Sequence, residues 1–145
     1  MATLEASIII NCPIEEAFKE ITNFKQHPNW RNNLLKAEIT SSGPVSIGST
    51  YTYDMQVMGR KIETTGIVVD YQPPKIYAWK ATSVPFPLSG KVICEELTNG
   101  TQVSETILAE PGGFFKLAEP VLLRQQKSQM EKDLKNLKEL LEKSR

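Results

Sequence analysis

The middle of the chain is a series of short β-rich segments divided by turn sequences, with no helical pattern between them. Because consecutive strands with short connections pair antiparallel, this stretch predicts a meander in one sheet. An opening run that ends in Ile8-Ile9-Ile10 adds one more strand, which makes about seven. The predicted strands span 4–10, 34–40, 51–57, 61–71, 75–83, 89–97 and 101–109.

The segment Tyr51–Val57 shows which kind of sheet this is. Its odd positions are Tyr, Tyr, Met and Val, whereas its even positions are Thr, Asp and Gln. Such alternation indicates a sheet with one buried face and one face in water. Asn99-Gly100 is the strongest hairpin signal in the chain and predicts a tight turn between the last two strands.

A long C-terminal helix is predicted from about Leu117 to Lys143, with Pro120 in its first turn. An apolar stripe at helical spacing must be buried against another element, and the apolar face of the sheet is the available partner. The stripe consists of Leu123, Met130, Leu134, Leu137 and Leu141.

Two short helices are predicted between the first and second strands. Pro13 suits a helix start, and Asn23 breaks the helix that follows it. A second short helical turn is predicted within Phe24 to Trp30, ended by His27-Pro28, because a residue before proline resists α geometry. The predicted class is therefore α+β, and 145 residues correspond to one domain over 1–145.

Composition excludes several functions. The chain carries 17 basic and 17 acidic side chains, so electrostatics gives it no reason to bind nucleic acid or an anionic membrane. No apolar run approaches the ~20 residues of a membrane span, and residues 1–5 do not open a secretory leader. The two cysteines have no framework spacing, which predicts reduced thiols and a cytoplasmic protein.

Three loops are expected at the same end of the sheet, because successive turns of a meander alternate between its ends. They follow the third, fifth and seventh strands, and they are rich in apolar residues. One interpretation is the rim of a ligand pocket, and the other is that these side chains cap the core. The residues are Met58, Val84, Phe86, Leu88, Phe114, Phe115 and Leu117.

The inventory of reactive side chains is small. A histidine general base would have to be His27, the only histidine, and its place before Pro28 favours a structural or exposed role. Cys12 precedes a helix N-terminus, which lowers a thiol pKa, but an inert thiol is the favoured interpretation. One histidine and two distant cysteines do not make a metal site, and no phosphate-binding glycine loop is present. No cofactor is expected.

Two glutamates on predicted strands are ambiguous. Glu105 shares a face with Val103 and Ile107, so an inward face would make it a buried acid paired with Arg31 or Lys91. An outward face would make it a solvated residue, and charge pairing on the wet face is the commoner case. Glu95 has the same ambiguity. A β-bulge would reverse the faces of all residues after it.

Eight short motifs occur in a characteristic order along the chain. They are Ile8-Ile9-Ile10, Cys12-Pro13-Ile14-Glu15-Glu16-Ala17-Phe18, His27-Pro28-Asn29-Trp30, Gly48-Ser49-Thr50-Tyr51, Gly59, Tyr71-Gln72-Pro73-Pro74-Lys75, Asn99-Gly100-Thr101-Gln102-Val103 and Leu137-Lys138-Glu139-Leu140-Leu141-Glu142. In this order they resemble the START-like (Bet v 1-like, SRPBCC) superfamily and its bacterial polyketide cyclase/dehydrase and lipid-transport branch. That resemblance implies a helix-grip fold and a hydrophobic cavity between the sheet and the C-terminal helix. Members often carry Asp where Asn23 stands, so a carboxylate role is absent there.

Three hypotheses of function follow. The first is binding or transport of a lipid or polyketide-like molecule. The second is a cyclase/dehydratase-like enzyme that uses Glu105, His27 or a tyrosine as acid or base. The third is a protein-interaction module that uses the apolar loops, and the oligomeric state stays open. The expected ligand-binding residues are Trp30, Tyr53, Met55, Trp79, Phe86, Phe114, Phe115, Leu123 and Met130.

Overall fold

The computed structural model of the chain describes residues 2–57, 59–84, 87–109 and 119–143, and the side chains of all of these except 2, 57 and 119–122. A 3₁₀ helix, η1, lies between the first helix and the second strand. The elements are β1 (Ala2–Ile10), α1 (Ile14–Ile21), η1 (Phe24–Asn29), β2 (Leu34–Ile39), β3 (Thr50–Val57), β4 (Arg60–Gln72), β5 (Ile76–Ala81), β6 (Leu88–Leu97), β7 (Gly100–Ala109) and α2 (Glu119–Lys143).

The seven strands form one curved antiparallel sheet in the order β1-β7-β6-β5-β4-β3-β2. The chain therefore meanders from β2 to β7, and β1 lies beside β7. The predicted α+β class, the sheet of about seven strands, the two short helices and the long C-terminal helix are confirmed. No helix in the described part of the chain is long and apolar enough to cross a membrane.

The predicted hairpin between the last two strands is confirmed with its turn one residue earlier, whereas the predicted end of the second short helix was wrong. Leu97 pairs with Gly100, so the last hairpin turns at Thr98-Asn99 and Gly100 already belongs to β7. A side chain at Gly100 would lie 2.5 Å from the Ile10 carbonyl oxygen, so close approach rather than turn geometry requires glycine there. Pro28 lies inside η1 instead of ending a helix before it, since the short 3₁₀ helix accommodates the ring.

The helix α1 covers one end of the concave face. Glu15 and Glu16 lie in its first turn, where acidic side chains stabilise the positive helix end. The opposite side of the helix is buried beside β6 and β7 and extends to the Phe18 ring, whose centroid lies 5.6 Å from that of Tyr71. Its buried residues are Ile14, Ala17, Phe18 and Ile21.

The helix α2 buries the predicted stripe: Met130, Leu134, Leu137 and Leu141 are at most 6% exposed, and Leu123 is half-buried. Its last turns also cover the free edge of β1. Lys138 Nζ donates to the Ile9 carbonyl oxygen at 2.7 Å. Glu142 Oε2 accepts from the Asn11 N–H at 2.8 Å. These contacts occupy edge groups that could otherwise pair with another strand.

Burial along the concave face falls from the α1 end toward the opposite end. In β7, Val103 and Glu105 are at most 1% exposed, whereas Ile107, on the same face, is half-buried. In the other strands too, side chains of this face are less buried farther from α1. Ile62 of β4, which pairs with Met55, is 42% exposed. We call four large apolar residues of this face that are not fully buried the apolar wall: Met55, Ile62, Trp79 and Ile107.

The Trp79 ring lies across Gly90, its cross-strand partner on β6. A Cβ at position 90 would lie 2.5 Å from Trp79 Cε2, which is closer than real Cβ atoms approach. Glycine therefore lets the indole lie against the sheet. In the same way Tyr51 lies across Gly66 on β4. Both pairs keep large rings low on the concave face.

We expect Gly90→Ala to lower the free energy of unfolding by about 1–3 kcal/mol, because the added methyl forces the indole away from the sheet. In a Trp79→Ala background the same change should cost almost nothing. Chemical denaturation of the four proteins of this double-mutant cycle measures the difference. Equal costs in the two backgrounds would show that Trp79 does not depend on Gly90.

Candidate functional site

Glu105 points inward and is 1% exposed. Arg31, directly after η1, donates from Nη1 to Oε1 at 3.0 Å and from Nη2 to Oε2 at 2.6 Å. Of the two alternatives for Glu105, the structure therefore shows the inward one. The outward placement, which is the commoner case, was the wrong expectation. Lys91 is exposed, as is Glu95. The pair is bidentate, the strongest geometry for guanidinium and carboxylate.

A second acid reaches the same arginine from α2. Asp133 Oδ2 lies 3.7 Å from Arg31 Nη1. Its Oδ1 accepts from the Asn32 N–H at 2.9 Å and from Gln129 Nε2 at 2.8 Å. Burial raises the pKa of Asp133, while the N–H of Asn32 and the charge of Arg31 oppose that rise. Arg31 therefore connects the η1–β2 loop, the sheet and α2.

Arg31 remains a cation. Burial acts to lower its pKa, but the charge and hydrogen bonds of Glu105 outweigh burial and raise the pKa above its ordinary value. The guanidinium carbon also lies 4.3 Å from the ring centroid of Trp30, a cation–π contact. Trp30 is 1% exposed, and its Nε1 has no hydrogen-bond partner among the described residues.

His27 is buried, so an exposed role was the wrong alternative and a structural one fits. Its Nε2 lies 2.6 Å from the Ile21 carbonyl oxygen and must donate to it. Its Nδ1, 2.5 Å from Tyr53 Oη, then accepts from the phenol. Burial, together with the charge of Arg31, lowers the pKa of His27 to about 3. The imidazole is therefore neutral near pH 7 and uses both nitrogens internally.

Aromatic rings surround this histidine. Phe24 contacts Tyr51, Tyr53 and Tyr77 at centroid separations of 5.0, 6.1 and 6.0 Å. Burial raises the pKa of each of these tyrosines, so all three are uncharged at neutral pH. We call the group that crosses the interior at this level the polar layer: His27, Arg31, Tyr53, Glu105 and Asp133.

The structure describes six of the nine predicted ligand-binding residues. Trp30 and Met130 are buried, whereas Tyr53, Met55, Trp79 and Leu123 are half-buried. Val84 and Leu88 of the predicted rim are half-buried too. The rest of the rim lies outside the described part of the chain, as does the predicted helix start at Leu117. These residues are Met58, Phe86, Phe114, Phe115 and Leu117.

Sequence reasoning missed two wall residues and one acid. Ile62 and Ile107 were not among the predicted ligand-binding residues, although each fits the alternation of apolar and polar residues in its strand. Asp133 was missed although it stands three residues after Met130 and four before Leu137, on the buried side of the helix. Arg31 entered only as one of two partners for Glu105.

The described residues contain no group of three His, Cys, Asp or Glu side chains that could hold a metal ion. Cys12 and Cys94 are buried, and neither forms a disulfide. Burial, with a smaller contribution from Cys12, raises the pKa of the Cys94 thiol to about 12. That thiol is therefore protonated and a poor nucleophile at neutral pH.

An open depression of about 330 Å³ lies at the α1 end of the sheet, away from the apolar wall. It is bounded by the β1–α1 connection and the β6–β7 hairpin. Most of its rim is polar or backbone, and no side chain of the polar layer reaches it. Its lining consists of Asn11, Cys12, Pro13, Ile14, Glu96, Leu97, Thr98, Asn99 and Gly100.

Comparison with known families gives one match over nearly the whole sequence. The profile of the family described as "Polyketide cyclase / dehydrase and lipid transport" matches residues 1–142. No curated protein matches the sequence significantly.

Solved structures share the fold at low sequence identity. TTHA0849 from Thermus thermophilus is 15% identical, with a TM-score of 0.80 over 95% of each chain. The di-domain ARO/CYC StfQ from the steffimycin biosynthetic pathway is 14% identical, with a TM-score of 0.81 over 98% of this chain and 51% of StfQ. Ara h 8.0201 is 14% identical, with a TM-score of 0.66 over 94% and 97%. At such identities the likeness shows the fold alone.

The depressed pKa of His27 makes stability depend on pH. His27 of the unfolded chain protonates as pH falls through 6.5, but the folded protein resists protonation down to about pH 3. Stability is therefore lost as pH falls below 6.5, by about 2 kcal/mol between pH 7 and pH 5. The raised pKa of Asp133 acts in the opposite direction, so the comparison needs a variant without the imidazole.

We expect His27→Gln to remove this loss while keeping one donor and one acceptor at the site. Urea denaturation of both proteins at pH 7, 6 and 5 gives their free energies of unfolding. The difference between the two proteins in how this free energy changes with pH isolates His27, the only histidine. If the free energy of unfolding changed with pH equally in both proteins, the imidazole would be protonated in the folded protein.

Proposed function

Because this chain belongs to the polyketide cyclase/dehydrase and lipid transport family, we propose that it binds a hydrophobic small molecule, a lipid or a polyketide-like compound, between the concave face and α2. The observation that carries the proposal is the apolar wall. Met55, Trp79 and Ile107 are only half-buried and Ile62 is 42% exposed, although all four lie on the face that forms the core. A purely structural core would bury them.

The wall supplies enough surface for useful affinity. Covering about 300 Å² of apolar surface stabilises a complex by roughly 7 kcal/mol before the entropic cost of association. The low position of the Trp79 ring over Gly90 favours such a complex, because a flat indole leaves the space above it for a ligand.

The polar layer gives the bound molecule an inner end. Tyr53 lies on β3 two residues before Met55, so its phenol and the wall share one face. Ligand sites typically combine an apolar lining with a few polar groups that fix orientation. We infer that the apolar part of the ligand contacts the wall and that its polar group faces the layer.

Binding is favoured over acid–base catalysis by the state of the two catalytic candidates. Both nitrogens of His27 are engaged, and Glu105 is held by two hydrogen bonds from Arg31. A general acid or base must reach the proton that it transfers.

We expect Ile62→Asp to weaken binding of the neutral fluorescent probe N-phenyl-1-naphthylamine at least about tenfold, or 1.4 kcal/mol, because it places a charge on the wall. Fluorescence titration measures the dissociation constant.

The matched control is Ile93→Asp. Ile93 is 43% exposed, a fraction similar to that of Ile62. It lies on the opposite face of the sheet, between the exposed Lys91 and Glu95. This variant should bind the probe as the unaltered protein does. Equal weakening by both substitutions, or no probe binding by the unaltered protein, would contradict the proposal.

A further inference from the structure

The charged side chains of the polar layer contact one another. Arg31 is the one cation of the layer, and it contacts two acids, Glu105 and Asp133. With Asp133 ionised the three groups sum to minus one, and with Asp133 protonated they sum to zero. Neither state leaves a positive charge to receive an anionic ligand.

No other cation of the described residues serves the interior. Every described lysine and arginine is solvent-exposed except Arg31 and Lys138. Lys138 is committed to Glu142 and the Ile9 carbonyl at the outer edge of β1. His27 is neutral, since its Nδ1 accepts from Tyr53.

An entering carboxylate would therefore have to take Arg31 from Glu105. Glu105 is 1% exposed, so losing its partner would leave a buried charge without compensation. Breaking a buried ion pair by removing one partner is strongly destabilising. An anion also meets the charge of Asp133 next to the same guanidinium.

Hydrogen-bonding capacity nevertheless remains unused here. The Trp30 Nε1–H is a buried donor without a partner among the described residues. Tyr53 donates to His27, and none of the hydrogen bonds among the described residues uses its oxygen as an acceptor, so that oxygen can still accept. Buried donors are nearly always satisfied, by protein, water or ligand. One spare donor and one spare acceptor match a hydroxyl, which both accepts and donates.

We propose that the molecule bound here is uncharged and carries a hydroxyl group, as a hydrophobic alcohol or phenol does, and that the site discriminates against carboxylates. This inference rests on the proposed binding function and adds the chemical class of the ligand. Specificity then comes from a balanced ion network that an anion would disrupt.

The test is competition against bound N-phenyl-1-naphthylamine at pH 8 with three ligands that share a twelve-carbon chain, each below its solubility limit or, for the carboxylate, its micellar concentration. They are 1-dodecanol, dodecanoate and methyl dodecyl ether. We expect dodecanol to displace the probe at least about tenfold more effectively than dodecanoate, with the ether between them. Dodecanoate competing as well as dodecanol would overturn the charge preference, and an ether equal to the alcohol would overturn the hydroxyl.

Glu105→Gln provides the decisive variant, because it removes one negative charge from Arg31 without changing side-chain size and leaves the guanidinium with Asp133 at 3.7 Å as its one acidic contact in the layer. Its preference should move toward dodecanoate by about tenfold or more. Asp133→Asn, which keeps the Arg31–Glu105 pair, should move it in the same direction by less, and it serves if Glu105→Gln does not fold. Unchanged preference in a folded variant overturns the inference. Failure of the probe to bind the unaltered protein would instead refute the proposed function itself.

Discussion

The buried pair of Arg31 and Glu105 is the interaction on which the interior depends. It joins the loop after η1 to the centre of β7, and Asp133 adds α2 to the same arginine. Two charges in such a place are tolerable only together, because removing one partner of a buried pair costs about 3–5 kcal/mol. Together with Asp133, the pair links α2 to the sheet. The Trp30 ring, 4.3 Å from the guanidinium carbon, supports it from the η1 side.

The pair also divides the concave face into two parts. Toward α1 lie the fully buried residues, among them Val103 and the leucines of α2. Toward the opposite end lies the apolar wall, where Trp79 and Ile107 stay half-buried. The first part supplies the stability of the fold, since burial of apolar surface dominates folding. We propose that the second part holds the ligand and that the charge balance of the pair determines which ligands bind there.

The sequence predicts the fold well and the site only partly. Strand alternation and the leucine stripe are local signals, so the elements come out within a few residues of their true ends. The partner of Glu105 is not local: β7 pairs without a register shift with β1 and β6, but Arg31 lies 74 positions away in sequence. One signal for an inward Glu105 existed in the sequence, because Glu105 lies between the apolar Val103 and Ile107 on the same face of its strand. The hairpin at Thr98-Asn99 differs by one residue because Gly100 is needed against β1.

The most direct measurement of the central claim uses the two tryptophans of the chain, which give two indole N–H signals in a ¹H–¹⁵N spectrum. Trp79 belongs to the apolar wall and Trp30 to the inner end beside Arg31. Upon titration with 1-dodecanol, both indole signals should shift together and saturate, while the amide of Ile93 on the outer face stays in place. Movement of outer-face amides with both indoles unchanged would contradict binding between the sheet and α2.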